Sequence, residues 1–385
     1  MKKIMVVFGT RPEAIKLAPI ILELKRRKNF ETIVCVTAQH REMLDQVLGL
    51  FGIKPDIDLN IMTHHQTLPE LTSRVLLKID QTLADTSPNI VLVQGDTTTV
   101  MATAMAAFYR RVQVGHVEAG LRSGNLNSPF PEEMNRRVAT LASNLHFAPT
   151  KAAVNALRSE GIPDDTIFLT GNSVIDALNF IVEKPAPEEA RELLQKAGVS
   201  PDNGQTKLIL VTAHRRENFG SRFESICMGL KDLALRNSNV VIIYPVHLNP
   251  NVQEPVREIL GATDRVILTE PVTYDTLAHL MKACYLVLTD SGGIQEEAPS
   301  LGKPALVMRT ETERPEGIEA GTAKLVGPIA EKIVSETEKL LYDAKSYMAM
   351  SKAINPYGDG KASLRIVEVL ASGRLSEADS FGGEC

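Results

Sequence analysis

The residues in this chain best suited to chemistry are carboxylates, cations and glycines placed where an apolar run stops. The run Leu286-Val287-Leu288-Thr289 ends in Asp290-Ser291-Gly292-Gly293, and a helix-compatible segment through Ala298 begins directly behind it. A strand, a tight turn and a helix N-terminus in that order make an anion seat. Unpaired backbone N–H groups and the helix dipole face outward, and glycine lets an anion approach with no Cβ in the way. A diphosphate fits such a seat, and Glu297, one turn into the helix, stands where its carboxylate accepts hydrogen bonds from ribose hydroxyls. The pattern is neither G-x-G-x-x-G nor G-x-x-x-x-G-K-[ST], so it is neither a dinucleotide fingerprint nor a P-loop. Taken alone, Ser291-Gly292-Gly293 is equally well a strand-to-helix turn with a serine cap.

Other candidates recur at similar places. Arg11 and Lys16 flank a helix start in Gly9-Thr10-Arg11-Pro12-Glu13-Ala14-Ile15-Lys16, where both can meet phosphate; a solvated side chain is the alternative for Lys16. Asp96, in Gly95-Asp96-Thr97-Thr98-Thr99, reads equally as a helix cap and as a catalyst. Glu118 is a proton-transfer candidate or a partner for Arg122, and Glu132 and Glu133 open a helix, where matching the dipole is the preferred role for Glu133. Asp96, Glu118 and Glu132 all fall at strand ends or helix starts on one rim, which favours a shared role. His214, Arg215 and Arg216 follow a strong strand and suit ligand contact, whereas His247 reads as structural or peripheral. No histidine pair has helix-face spacing with a carboxylate, so no catalytic metal is expected.

Positioning these groups requires a particular rhythm of elements. Short apolar runs at Ile4 to Phe8, Ile33 to Thr37, Ile90 to Gln94, Val112 to Val117, Leu145 to Ala148 and Ile167 to Thr170 read as buried strands. Amphipathic stretches between them read as helices, at Glu13 to Arg27, Leu68 to Ala84, Val100 to Tyr109, Glu132 to Ala142 and Ala152 to Glu160. The rhythm restarts after the polar stretch Glu183 to Thr206, with strands at Leu208 to Thr212, Val240 to Tyr244, Val266 to Leu268, Tyr285 to Thr289 and Ala305 to Val307. Strand then helix, repeated, predicts α/β architecture: two doubly wound Rossmann-like domains facing a cleft, with ligands at the strand C-termini. The expected division is residues 1–171 and 172–361, with a last helix over about 362–375 packing back on the first domain.

Composition excludes several classes. At 385 residues with a net charge of −5 and 23% charged residues, the chain carries no basic tract to suggest nucleic acid or a membrane surface. Cys35, Cys227, Cys284 and Cys385 show no C-x-x-C spacing, so neither a zinc site nor a disulfide framework is expected, and a cytoplasmic location is inferred. The apolar run at the N-terminus is a strand, too short for a signal peptide.

Eight motifs carry a resemblance: G-T-R-P-E-A-I-K, A-Q-H-R-E-M-L-D-Q-V-L, G-D-T-T-T, G-H-V-E-A-G-L-R, S-P-F-P-E-E, T-A-H-R-R-E-N, P-V-H-L-N-P and D-S-G-G-I-Q-E-E-A-P-S-L-G-K-P. Together, from Met5 to about Arg365, they resemble the non-hydrolysing UDP-N-acetylglucosamine 2-epimerases. The resemblance implies a fold of the glycosyltransferase-B type, reversible conversion of UDP-GlcNAc to UDP-ManNAc, no cofactor or metal, a homodimer, and a product that feeds surface polysaccharides. It implies substrate contacts from Arg11, Lys16, Asp96, Glu118, His214, Ser291, Gly292, Gly293 and Arg314, with Glu297 on the ribose and the backbone near Val272 on the uracil. Val272 and Leu277 differ in type from residues expected in an enterobacterial relative. Bacterial members are also activated by UDP-GlcNAc at a second site. Gln39, Glu132, Arg215 and His247 match positions associated with it, while Glu42 stands in place of glutamine and His65 in place of arginine. A retaining glycosyltransferase, a hydrolysing epimerase and a nucleotide-sugar sensor are the competing readings.

Overall fold

The computed structural model describes residues 1–37, 41–61, 66–199 and 206–372, with backbone alone at 41–43. The chain divides into two compact units, Met1–Ala177 with Gly358–Cys385, and Leu178–Tyr357.

In the first unit the strands are β1 (Lys2–Phe8), β2 (Phe30–Val36), β3 (Ile57–Asp58), β4 (Ile90–Gln94), β5 (Gln113–Val117), β6 (Leu145–Ala148) and β7 (Ile167–Leu169). They form one parallel sheet in the order β3-β2-β1-β4-β5-β6-β7. Between them run α1 (Arg11–Arg26), α2 (Arg41–Phe51), α3 (Leu68–Thr86), α4 (Thr98–Tyr109), α5 (Glu132–Ala142) and α6 (Lys151–Ser159). The division between units falls inside α7 (Ser173–Val182).

The second unit takes the end of α7, continues with α8 (Glu188–Lys196) and holds β8 (Lys207–Thr212), β9 (Val240–Pro245), β10 (Val266–Thr269), β11 (Leu286–Thr289), β12 (Ala305–Val307) and β13 (Ala323–Leu325). These form a parallel sheet in the order β10-β9-β8-β11-β12-β13. Its further helices are α9 (Ser221–Arg236), α10 (Pro250–Leu260), α11 (Tyr274–Ala283), α12 (Gly292–Ser300), α13 (Pro315–Glu319), α14 (Ala330–Tyr342) and α15 (Ala344–Ser351). The last helix, α16 (Ala362–Ala371), packs on α1 in the first unit.

Both sheets are apolar on both faces because helices cover each side. Along β8, Ile209 and Val211 join a core with Phe223, Ile226 and Leu230 of α9, while Leu208 and Leu210 join one with Leu280 and Met281 of α11. The strongest runs became the central strands. Helix α2 and strands β3 and β13 have no counterpart among the elements expected from sequence; β3 has only two residues, too few to form an apolar run.

In each sheet the strand order reverses once, between β1 and β4 and between β8 and β11. Chains leaving neighbouring strands there run to opposite faces and open a crevice at the carboxyl ends. That topology decides which loops meet.

Candidate functional site

At the reversal in the first unit, the loops after β1 and β4 are joined through Glu13. Its carboxylate accepts from the Gly9 and Thr10 amides at 2.9 and 2.7 Å and from Thr97 Oγ1 at 2.6 Å. Burial raises the Glu13 pKa against these hydrogen bonds. Glu13 is therefore a strut between the turn that leads into Arg11 and the loop that carries Asp96. Thr97, not Asp96, caps α4, with Oγ1 accepting from Val100 N.

Asp96 is instead held by α5. Arg136 donates Nη2–H to Asp96 Oδ2, and Asn135 Nδ2 donates to the Asp96 carbonyl at 2.9 Å. Arg136 is anchored in turn by Glu133, 3.2 Å away and 0% exposed, which also accepts from the Ser123 amide and from Arg137. Burial pushes the Glu133 carboxyl up, but the Ser123 amide and the two arginines prevail and its pKa is lowered. Glu133, in the first turn of α5 where dipole matching was expected, is also an anchor in the interior. Beside it, Glu132 opens α5 with Oε2 buried and no hydrogen-bond partner among the described residues.

Glu118, at the end of β5, is buried and takes a left-handed backbone conformation with φ 63°. Lys16 Nζ lies 2.5 Å from its Oε1, Asn172 Nδ2 donates to the same oxygen at 2.9 Å, and Gln94 donates to Oε2. Arg122, the alternative partner, pairs with Glu160 at 2.7 Å. Lys16 is accordingly no solvated surface lysine. Arg136, Gln94 and Asn172 escaped the sequence reading: their partners lie 24 to 54 residues away, or in Arg136's case 40, and no local pattern announces them.

The second unit repeats the logic at β8 and β11, whose last residues Thr212 and Thr289 share a hydrogen bond of 2.6 Å between hydroxyls. Asp290, 0% exposed, accepts on Oδ2 from the His214 and Arg215 amides at 2.9 and 2.8 Å and from Asn218 Nδ2 at 3.3 Å. His214 and the turn at Ser291 are thereby fixed side by side. Ser291 is the N-cap of α12 but makes no side-chain capping bond. A Cβ on Gly292 would lie 3.8 Å from Arg215 Nη2 and 4.0 Å from the Arg314 guanidinium, so two cations flank this helix start. Arg314 also pairs with Glu296. Glu297 is buried within α12, and Val272 and Leu277 are half-buried before and within α11. The His247 ring is stacked on His214 at 5.3 Å. Gln39 and His65 lie outside the described residues, as does the side chain of Glu42. No group of three or more metal-ligating side chains could hold an ion among the described residues.

A family model described as UDP-N-acetylglucosamine 2-epimerase matches residues 22–371. The chain belongs to that family. The UDP-N-acetylglucosamine 2-epimerase of Salmonella typhimurium is 54% identical over 374 residues, 97% of this chain and 100% of the relative. The Campylobacter jejuni enzyme of the same name is 49% identical over 98% of this chain and 100% of its own. Among solved structures, UDP-GlcNAc 2-epimerase from Neisseria meningitidis, bound to UDP-GlcNAc, matches with TM-score 0.87 at 49% identity, covering 96% of this chain and 100% of that one. A homologue from Listeria monocytogenes matches with TM-score 0.90 at 47% identity over 97% of this chain and 96% of its own. The α/β folds of both units are thus those of the family.

Proposed function

We propose that this enzyme interconverts UDP-N-acetylglucosamine and UDP-N-acetylmannosamine by eliminating UDP and adding it back, without hydrolysis. The observation that carries the reading is the gathering of Asp96, Glu118 and Glu132 at the carboxyl edge of one sheet, two of them held by arginine or lysine. The chemistry requires such a group. The C2 proton of an N-acetylhexosamine has no adjacent carbonyl, so a base alone cannot remove it through an enolate. If the C1–O bond to UDP breaks first, positive charge at C1 acidifies the C2 proton, and its loss gives 2-acetamidoglucal. Re-addition of UDP, with a proton delivered to the opposite face of C2, completes the epimerisation.

Glu118, on which three donors converge, is suited to stand against the cationic sugar. Asp96, oriented by Arg136, and Glu132, whose Oε2 is unspent, are suited to proton transfer at the two faces. The second unit supplies diphosphate binding: the α12 N-terminus with Ser291, Gly292 and Gly293, flanked by Arg215 and Arg314, and His214 beside it. Within the first unit Arg11 and Lys16 are cations suited to phosphate, and within the second Glu297 and the backbone near Val272 are suited to ribose and uracil. A homodimeric enzyme in the cytoplasm, feeding surface polysaccharide synthesis, completes the proposal. No helix among the described residues is long and apolar enough to cross a membrane.

Proton NMR of the enzyme with UDP-GlcNAc in D₂O tests it: UDP-ManNAc bearing deuterium at C2 is expected, and unchanged UDP-GlcNAc with intact C2–H from protein that binds it would overturn it. Activation by UDP-GlcNAc is supported by Arg215 and by His247 stacked on His214. Initial rates with UDP-ManNAc alone should then be slow and rise on adding a little UDP-GlcNAc.

A further inference from the structure

Asp290 makes three hydrogen bonds with one oxygen and none with the other. Its Oδ2 takes the His214 amide, the Arg215 amide and the Asn218 side chain, which fixes the backbone of the loop after β8. From below, Tyr244 OH donates to the Ala213 carbonyl at 2.7 Å and holds the same loop. The other oxygen, Oδ1, is buried without a hydrogen-bond partner among the described residues and lies 3.6 Å from His214 Nδ1. That separation is outside hydrogen-bond range, yet no other described group answers Oδ1. A carboxylate oxygen left unpaired in the interior is costly, and a small rotation of the imidazole would satisfy it.

We propose that Asp290 is a positioning residue for His214: it selects the tautomer with the proton on Nδ1, turns Nε2 toward the helix start at Ser291, and offsets the positive charge when a bound nucleoside diphosphate draws a second proton onto the ring. The inference rests on the assignment of His214 and the Ser291 turn to diphosphate binding. The groups facing the imidazole are Asp290, Arg215 and the stacked ring of His247. Burial lowers the His214 pKa in the absence of ligand, Asp290 opposes that, and Arg215 and His247 reinforce it. Without ligand, burial thus favours the neutral ring. A diphosphate reverses the balance, so His214 becomes a cation where charge develops on the departing UDP. An aspartate behind a histidine is a recurrent way to fix tautomer and stabilise imidazolium.

Imidazole ¹⁵N NMR of the full chain tests this, with the His214 signals assigned by loss in His214→Gln. Without ligand, His214 should carry its proton on Nδ1; a proton on Nε2 would overturn the proposal whether or not the protein binds UDP. UDP is then added at about pH 8, where its terminal phosphate is fully ionised (second pKa about 6). His214 should become protonated, and a ring still neutral with UDP bound would also overturn it. In Asp290→Asn the Nδ1–H tautomer and the UDP-induced protonation should be lost, with UDP affinity down by ~10-fold and uridine affinity unchanged. Equal losses for UDP and uridine would mean that Asp290 supports the loop alone. Absence of any UDP binding by the wild-type chain would sink the functional assignment separately.

Discussion

Glu118 shows how one residue carries several demands at once. Its backbone is left-handed, which strains a non-glycine residue by ~1–3 kcal/mol, and the strain persists because Lys16, Asn172 and Gln94 all grip the carboxylate. Removing its charge should leave binding of UDP largely intact while the chemistry fails. Glu118→Gln and Asp96→Asn are each expected to slow C2 deuterium exchange by ~10²–10⁴-fold, with UDP affinity within a few-fold of wild type by calorimetry. Equal loss of exchange and of UDP binding would place these acids in nucleotide binding instead. Arg136 belongs to the same unit: Arg136→Met should mimic Asp96→Asn in kcat, and Arg136→Lys should recover part of the loss, because a cation would again face Asp96.

The elements matter through how they end. Helix α5 brings Asn135 and Arg136 to the loop after β4 within its first two turns, with Glu133 of the same helix anchoring Arg136, so its N-terminus works as one piece. The turn after Glu118 is as tightly specified. Gly120 has φ 91°, and a Cβ there would stand 2.4 Å from the Ala153 carbonyl oxygen, at the start of α6. Gly120→Ala should therefore cost at least ~1–3 kcal/mol and lower the melting temperature of the first unit by roughly 5 °C or more. Gly49, inside α2 with nothing within 4 Å of an added Cβ, is the control. Gly49→Ala should raise stability by ~0.5–1 kcal/mol through helix propensity. Differential scanning calorimetry of both variants reads the contrast directly.

At the scale of the whole molecule, acid should act through two buried histidines. His116 and His146 face each other across β5 and β6. Burial pushes them down to about 4 and about 3, against a bond from His116 Nε2–H to the Gly95 carbonyl and with further depression of His146 by His116. A folded pKa below the unfolded value means stability present above about pH 6.5 and lost as pH falls toward the folded values, at up to ~1.4 kcal/mol per pH unit for each histidine. Urea midpoints measured from pH 7 down to 5 should fall steeply for the wild type and less steeply for His146→Gln. Ligand should act in the opposite direction. UDP at 100 times its dissociation constant should stabilise the chain by about 2.7 kcal/mol, seen as a rise in melting temperature.

The sequence by itself determined the alternation of strand and helix, the two sheets, the helix start behind Ser291 and the family, because buried parallel strands are continuous apolar runs and the motifs are long and local. It also picked out Asp96, Glu118, Glu132 and His214, since each follows a strand end or opens a helix. What it left open were roles that depend on distant partners. Whether Asp96 capped a helix and whether Glu118 paired with Arg122 were decided by strand order, which brings loops together at the sheet reversals. Asp290 is the same lesson in the second unit: read locally it ends a strand, and only the pairing of β8 with β11 sets its carboxylate under His214.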